Sequence, residues 1–96
     1  MTRSVPLFKI YWDQADIDRV TAVIKKGGYW AIGPEIQEFE KKICDYVGVK
    51  HAVAVNSGTS ALHALMAAHD IGKGDEVIVP AFTFIATANA PLFVGA

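Results

Sequence analysis

The sequence holds a single cysteine, Cys44, so no disulfide can close within the chain and a structural zinc site lacks its usual ligands. Cys44 falls among the apolar positions of a predicted helix, which points to a buried, unreactive thiol. Charge of either sign is not gathered anywhere. Nine Lys and Arg stand against ten Asp and Glu, for a formal net charge of −1, and no basic face emerges. That balance gives no electrostatic reason to expect a nucleic-acid partner. No run approaches the ~18 apolar residues that cross a bilayer, so no membrane partner is expected. The start, "MTRSVPLFKIYWDQ", lacks the basic lead and unbroken apolar core of a secretory signal. These absences fit a cytoplasmic protein.

Several catalytic motifs are missing as well. There is no GxxxxGK[ST]; "GKGDE" puts Lys73 in a turn ahead of a predicted strand. No GxGxxG follows either predicted strand, which leaves an ordinary dinucleotide site unsupported. There is no HExxH, and His63 and His69 stand about 240° apart around a helix, too far to share a metal. His69 is expected to pack or cap, and His63 to face solvent or a partner.

What is present is a regular alternation of elements in 96 residues, a length suited to at most one small domain that buries about 60–65% of its unfolded surface. Asp13 can cap a first helix, with Asp16 in its first turn, Lys25 and Lys26 in its last, and Gly27 as its stop. A second helix begins at Pro34, carries Ile36, Phe39, Ile43 and Val47 as its stripe, and ends at Gly48. The loop between them, "GGYWAIGP", is either a connector whose aromatics plug the core or a ligand-facing loop. "HAVAVN" reads as a strand covered on both faces. "GTSALHALMAAHDIG" reads as a helix with Leu62, Leu65, Met66 and His69 on one side. "KGDEVIVP" is a turn and a second strand, Glu76 to Val79, closed by Pro80. A last helix starts at about Phe84, kinked or shortened by Pro91. Strand, helix, strand, helix implies an α/β protein with a mainly parallel sheet. The chain stops on an apolar run, "APLFVGA", and reads as the N-terminal piece of something longer.

The chemistry concentrates at "NSGTSALHAL". A strand running into a small, hydroxyl-rich turn and directly into a helix leaves first-turn N–H groups and the positive end of the helix dipole for an anion. Gly58 allows close approach, and Thr59 and Ser60 offer hydroxyls and N–H groups. Ordinary helix capping accounts for the same residues equally well. Ligands in open α/β sheets gather beyond the carboxyl ends of strands, where "PAFTFIATAN" places Phe82, Thr83, Phe84 and Thr87. An aromatic ring beside a phosphate site suits a flat phosphorylated cofactor such as pyridoxal 5'-phosphate, and Phe82 is expected to pack into the protein.

These segments together ("GP" with "EFE", "AVNSGTSAL", "GDEVIVP" and "TFIATAN") resemble the N-terminal part of the DegT/StrS family of pyridoxal-phosphate-dependent nucleotide-sugar aminotransferases, from about Asp13 to Ala96. The resemblance implies a type I aminotransferase fold. Residues 1–96 would be the N-terminal portion of its large three-layer domain, the cofactor-binding domain, incomplete as it stands. It places the cofactor phosphate on Thr59 and Ser60 with Gly58 giving access, the pyridine ring against Phe84, and Ile32 and Gly33 near the sugar. It also implies a homodimer acting on nucleotide-sugar and amino-acid substrates in polysaccharide or antibiotic-sugar biosynthesis. In that fold "HAVAVN" and "EVIVP" are not neighbours, since later strands lie between them. The Schiff-base lysine would lie beyond Ala96; none of the lysines from Lys9 to Lys73 stands in a matching context, so no catalytic residue is assigned and no metal is expected. The implied reaction transfers an amino group from an amino acid such as glutamate to a keto group on a nucleotide-linked sugar. A lysine-less sugar dehydratase of the same family, or a non-catalytic phosphate- or nucleotide-binding α/β module, would share these features.

Overall fold

Local signals decide where the first two helices begin and end. The structure, a computed structural model, describes residues 4–96. In it α1 spans Gln14–Lys26 behind Asp13, whose extended backbone and carboxylate form a capping box. Asp13 Oδ1 accepts from the Ala15 and Asp16 N–H groups at 2.9 and 3.3 Å, and Asp16 Oδ2 accepts from the Asp13 N–H at 3.0 Å. These bonds satisfy donors that every helix start leaves free. Gly27, at φ 71°, ends α1 in the left-handed conformation that a side chain disfavours. Helix α2, Pro34–Val47, has no side-chain cap and relies on Pro34 in its first turn, where the missing N–H costs nothing. Gly48, at φ 77°, closes it.

Neither α1 nor α2 buries a residue. The predicted stripe of α2 is exposed at Phe39 and Val47, and Cys44 is half-buried rather than enclosed. Apart from Gly33, the buried residues among those described all lie in α4. Helix α3, Gly58–Ala68, and α4, Ala86–Val94, pack on each other through Ala86, Ala90 and Pro91 of α4. Ala90, 1% exposed, is the most buried apolar residue among those described. His63 of α3 meets Phe93 of α4 with ring centroids 5.5 Å apart, tilted by 57°. His63 is exposed, as expected, and this ring contact adds a neighbour on α4. The end of α3 lies near that of α4, since a Cβ on Gly72 would stand 3.5 Å from the Val94 carbonyl.

Helix α4 starts two residues later than expected. Phe84 and Ile85 carbonyls accept from Thr87 and Ala88 N–H groups at 3.1 Å, a tight opening turn before the regular ladder. Pro91 neither stops nor shortens the helix. It lacks the N–H that would reach the Thr87 carbonyl, yet the helix runs on to Val94 and ends at Gly95, φ 86°.

The expected parallel sheet is not formed among the described residues. His51–Val55 and Glu76–Val79 are irregular, and they do not pair with each other. A strand exists only through a neighbour that accepts its ladder bonds, and neither segment has one beside it. Val53 and Ile78 are exposed, so the coverage on both faces read from "HAVAVN" is corrected too. The Ala54 N–H donates instead to a side chain, Glu40 Oε1 of α2, at 2.8 Å. Without a sheet the helices spread over 50 × 49 × 27 Å with a radius of gyration of 18.5 Å. A compact domain of this length has about 12–13 Å.

Candidate functional site

The turn ahead of α3 is organised by a residue the sequence reading left without a role. Ser57 is the helix cap, extended at φ −162°, and its Oγ accepts from the Ser60 N–H at 3.1 Å. The Ser57 hydroxyl also lies 3.0 Å from Ser60 Oγ, and Ser60 Oγ donates to Asn56 Oδ1 at 2.6 Å. Asn56, Ser57 and Ser60 thus form one closed polar network. The signal was the S-x-x-S spacing, which puts a capping oxygen opposite the third N–H of the helix.

This network divides the predicted phosphate residues. The hydroxyl and N–H of Ser60 are already engaged by Asn56 and Ser57. Among the described residues, no acceptor lies on the N–H of Gly58 or Thr59 or on the Thr59 hydroxyl. A Cβ at Gly58 would meet nothing within 4 Å. The chain itself therefore does not require glycine there, while a ligand approaching the backbone would. Two free N–H groups, one free hydroxyl, an open approach and the positive end of α3 form a donor set suited to a phosphate.

The remaining predicted residues stand apart from this turn. Phe84 lies just before α4 and is 75% exposed, with its ring free. Phe82 is fully exposed, which corrects the expectation that one of the two rings packs into the core. No hydrogen bond or ring contact joins Phe84 to Gly58–Ser60 among the described residues. Thr83 and Thr87 pair through their hydroxyls at 3.1 Å, fixing the segment that carries Phe84 to the start of α4.

Ile32 and Gly33 belong to the loop between α1 and α2. Ile32 is exposed, and Gly33 is buried beneath Glu35, whose Oε2 would come within 2.4 Å of an added Cβ. Trp30 Nε1 donates to the Val23 carbonyl at 3.2 Å, which ties the loop back onto α1 rather than into a core. Lys26 Nζ meets Glu35 Oε1 at 2.9 Å, and that hydrogen bond holds the Glu35 carboxyl below its ordinary range. A groove of about 790 Å³ opens between α1 and α2 over Val20, Ile24, Trp30 and Phe39, away from every residue predicted to bind the cofactor. No cluster of His, Cys, Asp and Glu capable of holding a metal occurs among the described residues. No helix is long and apolar enough to cross a membrane among them.

The sequence matches of this chain define its class as that of the aminotransferases. It belongs to the DegT/DnrJ/EryC1/StrS aminotransferase family, whose pattern covers residues 11–96. It is 56% identical over 66 residues to the GDP-perosamine synthase of Caulobacter vibrioides, a stretch covering 69% of this chain and 18% of that protein. It is 47% identical over 81 residues to the spore coat polysaccharide biosynthesis protein SpsC of Bacillus subtilis, covering 84% of this chain and 21% of that one. A UDP-4-amino-4,6-dideoxy-N-acetyl-beta-L-altrosamine transaminase of Campylobacter jejuni is 46% identical over 84 residues, 88% of this chain and 22% of its own length. The chain spans about a fifth of the length of the curated relatives it matches.

Proposed function

We propose that residues 1–96 are the phosphate-anchoring part of a pyridoxal-phosphate-dependent nucleotide-sugar aminotransferase, whose lysine and acidic partner for the pyridine nitrogen lie in further sequence. The observation that carries this reading is the free donor set on Gly58 and Thr59 at the start of α3, in a chain of this family. The N–H groups of Gly58 and Thr59 and the Thr59 hydroxyl bind the phosphate. Ser60 contributes directly only by surrendering its bond to Asn56. Phe84 offers a free ring to the flat face of the cofactor, and Ile32 and Gly33 border the sugar. When bound, the cofactor supplies the electron sink that lets an amino group leave a donor such as glutamate and enter a keto sugar.

In the whole protein, Ala52–Val55 and Glu76–Val79 become strands of a mainly parallel sheet, with other strands between them. The exposed apolar faces of α1 and α2 are then covered by the rest of a homodimeric, cytoplasmic enzyme. Relatives named as a synthase of GDP-perosamine and a transaminase of a UDP-linked sugar support sugar transamination over a bare phosphate-binding module. The test is to incubate the full-length polypeptide with pyridoxal phosphate, glutamate and GDP- or UDP-linked 4-keto sugars. Release of 2-oxoglutarate matched by an amino sugar is expected. Loss of water from the sugar without 2-oxoglutarate would establish the dehydratase, and no conversion of any keto sugar would overturn the enzymatic reading.

A further inference from the structure

Glu40 sits midway along α2, and its carboxylate crosses 14 positions of sequence to accept the Ala54 N–H at 2.8 Å in a partly buried contact. Its neighbours on the helix pair among themselves. Glu38 pairs with Lys42, and Lys41 pairs with Asp45 at 2.6 Å. Glu40 takes part in neither pair, so its charge is spent on one backbone amide. In a sheet that amide would donate to the carbonyl of an adjoining strand. Here a side chain takes the place of the strand on that side of Ala52–Val55.

Ala54 precedes the capping residue Ser57 by three positions, about 10–11 Å of extended chain. The point at which α2 grips Ala54 therefore fixes where Asn56, Ser57 and the start of α3 emerge. We propose that Glu40 is a positioning residue for the phosphate turn: by holding the Ala54 N–H it aims the free N–H groups of Gly58 and Thr59 at the phosphate. This rests on the reading of that turn as the cofactor's phosphate site. It also closes one edge of Ala52–Val55, leaving only the side that carries the Val53 and Val55 amides open to a neighbouring strand.

The test uses the full-length polypeptide carrying these residues and two probes, pyridoxal phosphate and pyridoxal, which has the same ring without the phosphate. Absorbance titration gives the preference for the phosphorylated form, a ratio that a general loss of stability does not move. Glu40→Ala should lower that preference by roughly threefold to tenfold, the size of one hydrogen bond's net effect, and should speed exchange of the Ala54 amide. Glu40→Gln keeps an accepting oxygen at the same reach and should preserve both. Glu40→Asp keeps the charge but withdraws it by one methylene, and should behave as Glu40→Ala; it stands as the second variant if Glu40→Ala fails to fold. An unchanged preference in a folded Glu40→Ala or Glu40→Asp protein, when Thr59→Ala lowers it, overturns the positioning role and leaves the phosphate turn standing. An unchanged preference in Thr59→Ala as well would overturn the assignment of the turn itself.

Discussion

Thr59 and Ser60 are adjacent hydroxyl residues at the start of one helix, and replacing each by alanine should have opposite consequences. The Thr59 hydroxyl has no partner among the described residues, so its removal costs the fold little, and alanine is the better helix former. If it holds the cofactor phosphate, the lost bond is one to a charged group, worth ~1.5–3 kcal/mol. At about 1.4 kcal/mol for each factor of ten, Thr59→Ala should weaken pyridoxal phosphate binding by roughly ten- to a hundredfold or somewhat more. Ser60 differs because its hydroxyl is held by Asn56 at 2.6 Å and lies 3.0 Å from Ser57. Its removal breaks neutral bonds worth ~0.5–1.5 kcal/mol each, and the loss should appear as a lower unfolding midpoint with a smaller effect on the cofactor. Absorbance titration and thermal unfolding of both variants in the full-length polypeptide separate the two roles. Normal binding by Thr59→Ala together with lost binding by Ser60→Ala would refute the reasoning, since Ser60 would then leave Asn56 to take the phosphate.

Ser57→Ala removes the cap of α3 and should destabilise the full-length protein by ~1 kcal/mol in denaturant unfolding, with Ser57→Asp close to wild type; equal midpoints for the alanine and native proteins would contradict the capping role. Ala90→Leu forces a larger side chain into the most buried position of α4 and should cost ~1–3 kcal/mol, whereas a neutral outcome would mean that this position is not closely packed. The Glu35 carboxyl is held low by Lys26, so the ion pair contributes above the ordinary carboxylate range and is lost as the pH falls through the lowered value of the folded state. Lys26→Met should raise the Glu35 titration, followed by NMR, toward the ordinary glutamate range, with a backbone hydrogen bond still lowering it, and an unmoved titration would show that Lys26 is not the cause.

The helix boundaries at Asp13, Gly27, Pro34 and Gly48 were legible because each is set by residues within one turn of it: a cap, a ring without an N–H, a glycine at positive φ. The strands were not legible in the same sense. "HAVAVN" has the composition of a strand, but a ladder is a property of two segments, and composition names only one. Glu40 shows the difference, since nothing near Ala54 announces that a carboxylate from α2 will take its amide. At the phosphate turn the sequence offered Thr59 and Ser60 alike, with Gly58 for access, and the structure leaves donors without an acceptor at Gly58 and Thr59 among the described residues. Ser60 differs from Thr59 in that Ser57 accepts its N–H and Asn56 accepts its hydroxyl, a distinction that the residue types alone do not carry. Phe82 misled for a related reason: an aromatic residue signals burial on average, and its partner is chosen by tertiary packing.

The loop from Gly27 to Gly33 is fastened at two points that respond differently to salt. One is the hydrogen bond from Trp30 Nε1 to the Val23 carbonyl, between uncharged groups. The other is the pairing of Lys26 with Glu35, between exposed charges. Raising the ionic strength from about 0.1 M to 1 M shortens the screening length from ~10 Å to ~3 Å and loosens the second fastening alone. The Trp30 hydrogen bond is then the remaining fastening of a loop that holds Tyr29, in the left-handed region at φ 51°, and Ile32. Ionic strength thereby becomes a control over how this aromatic segment is presented, separable from any effect on the uncharged turn at Gly58 and Thr59.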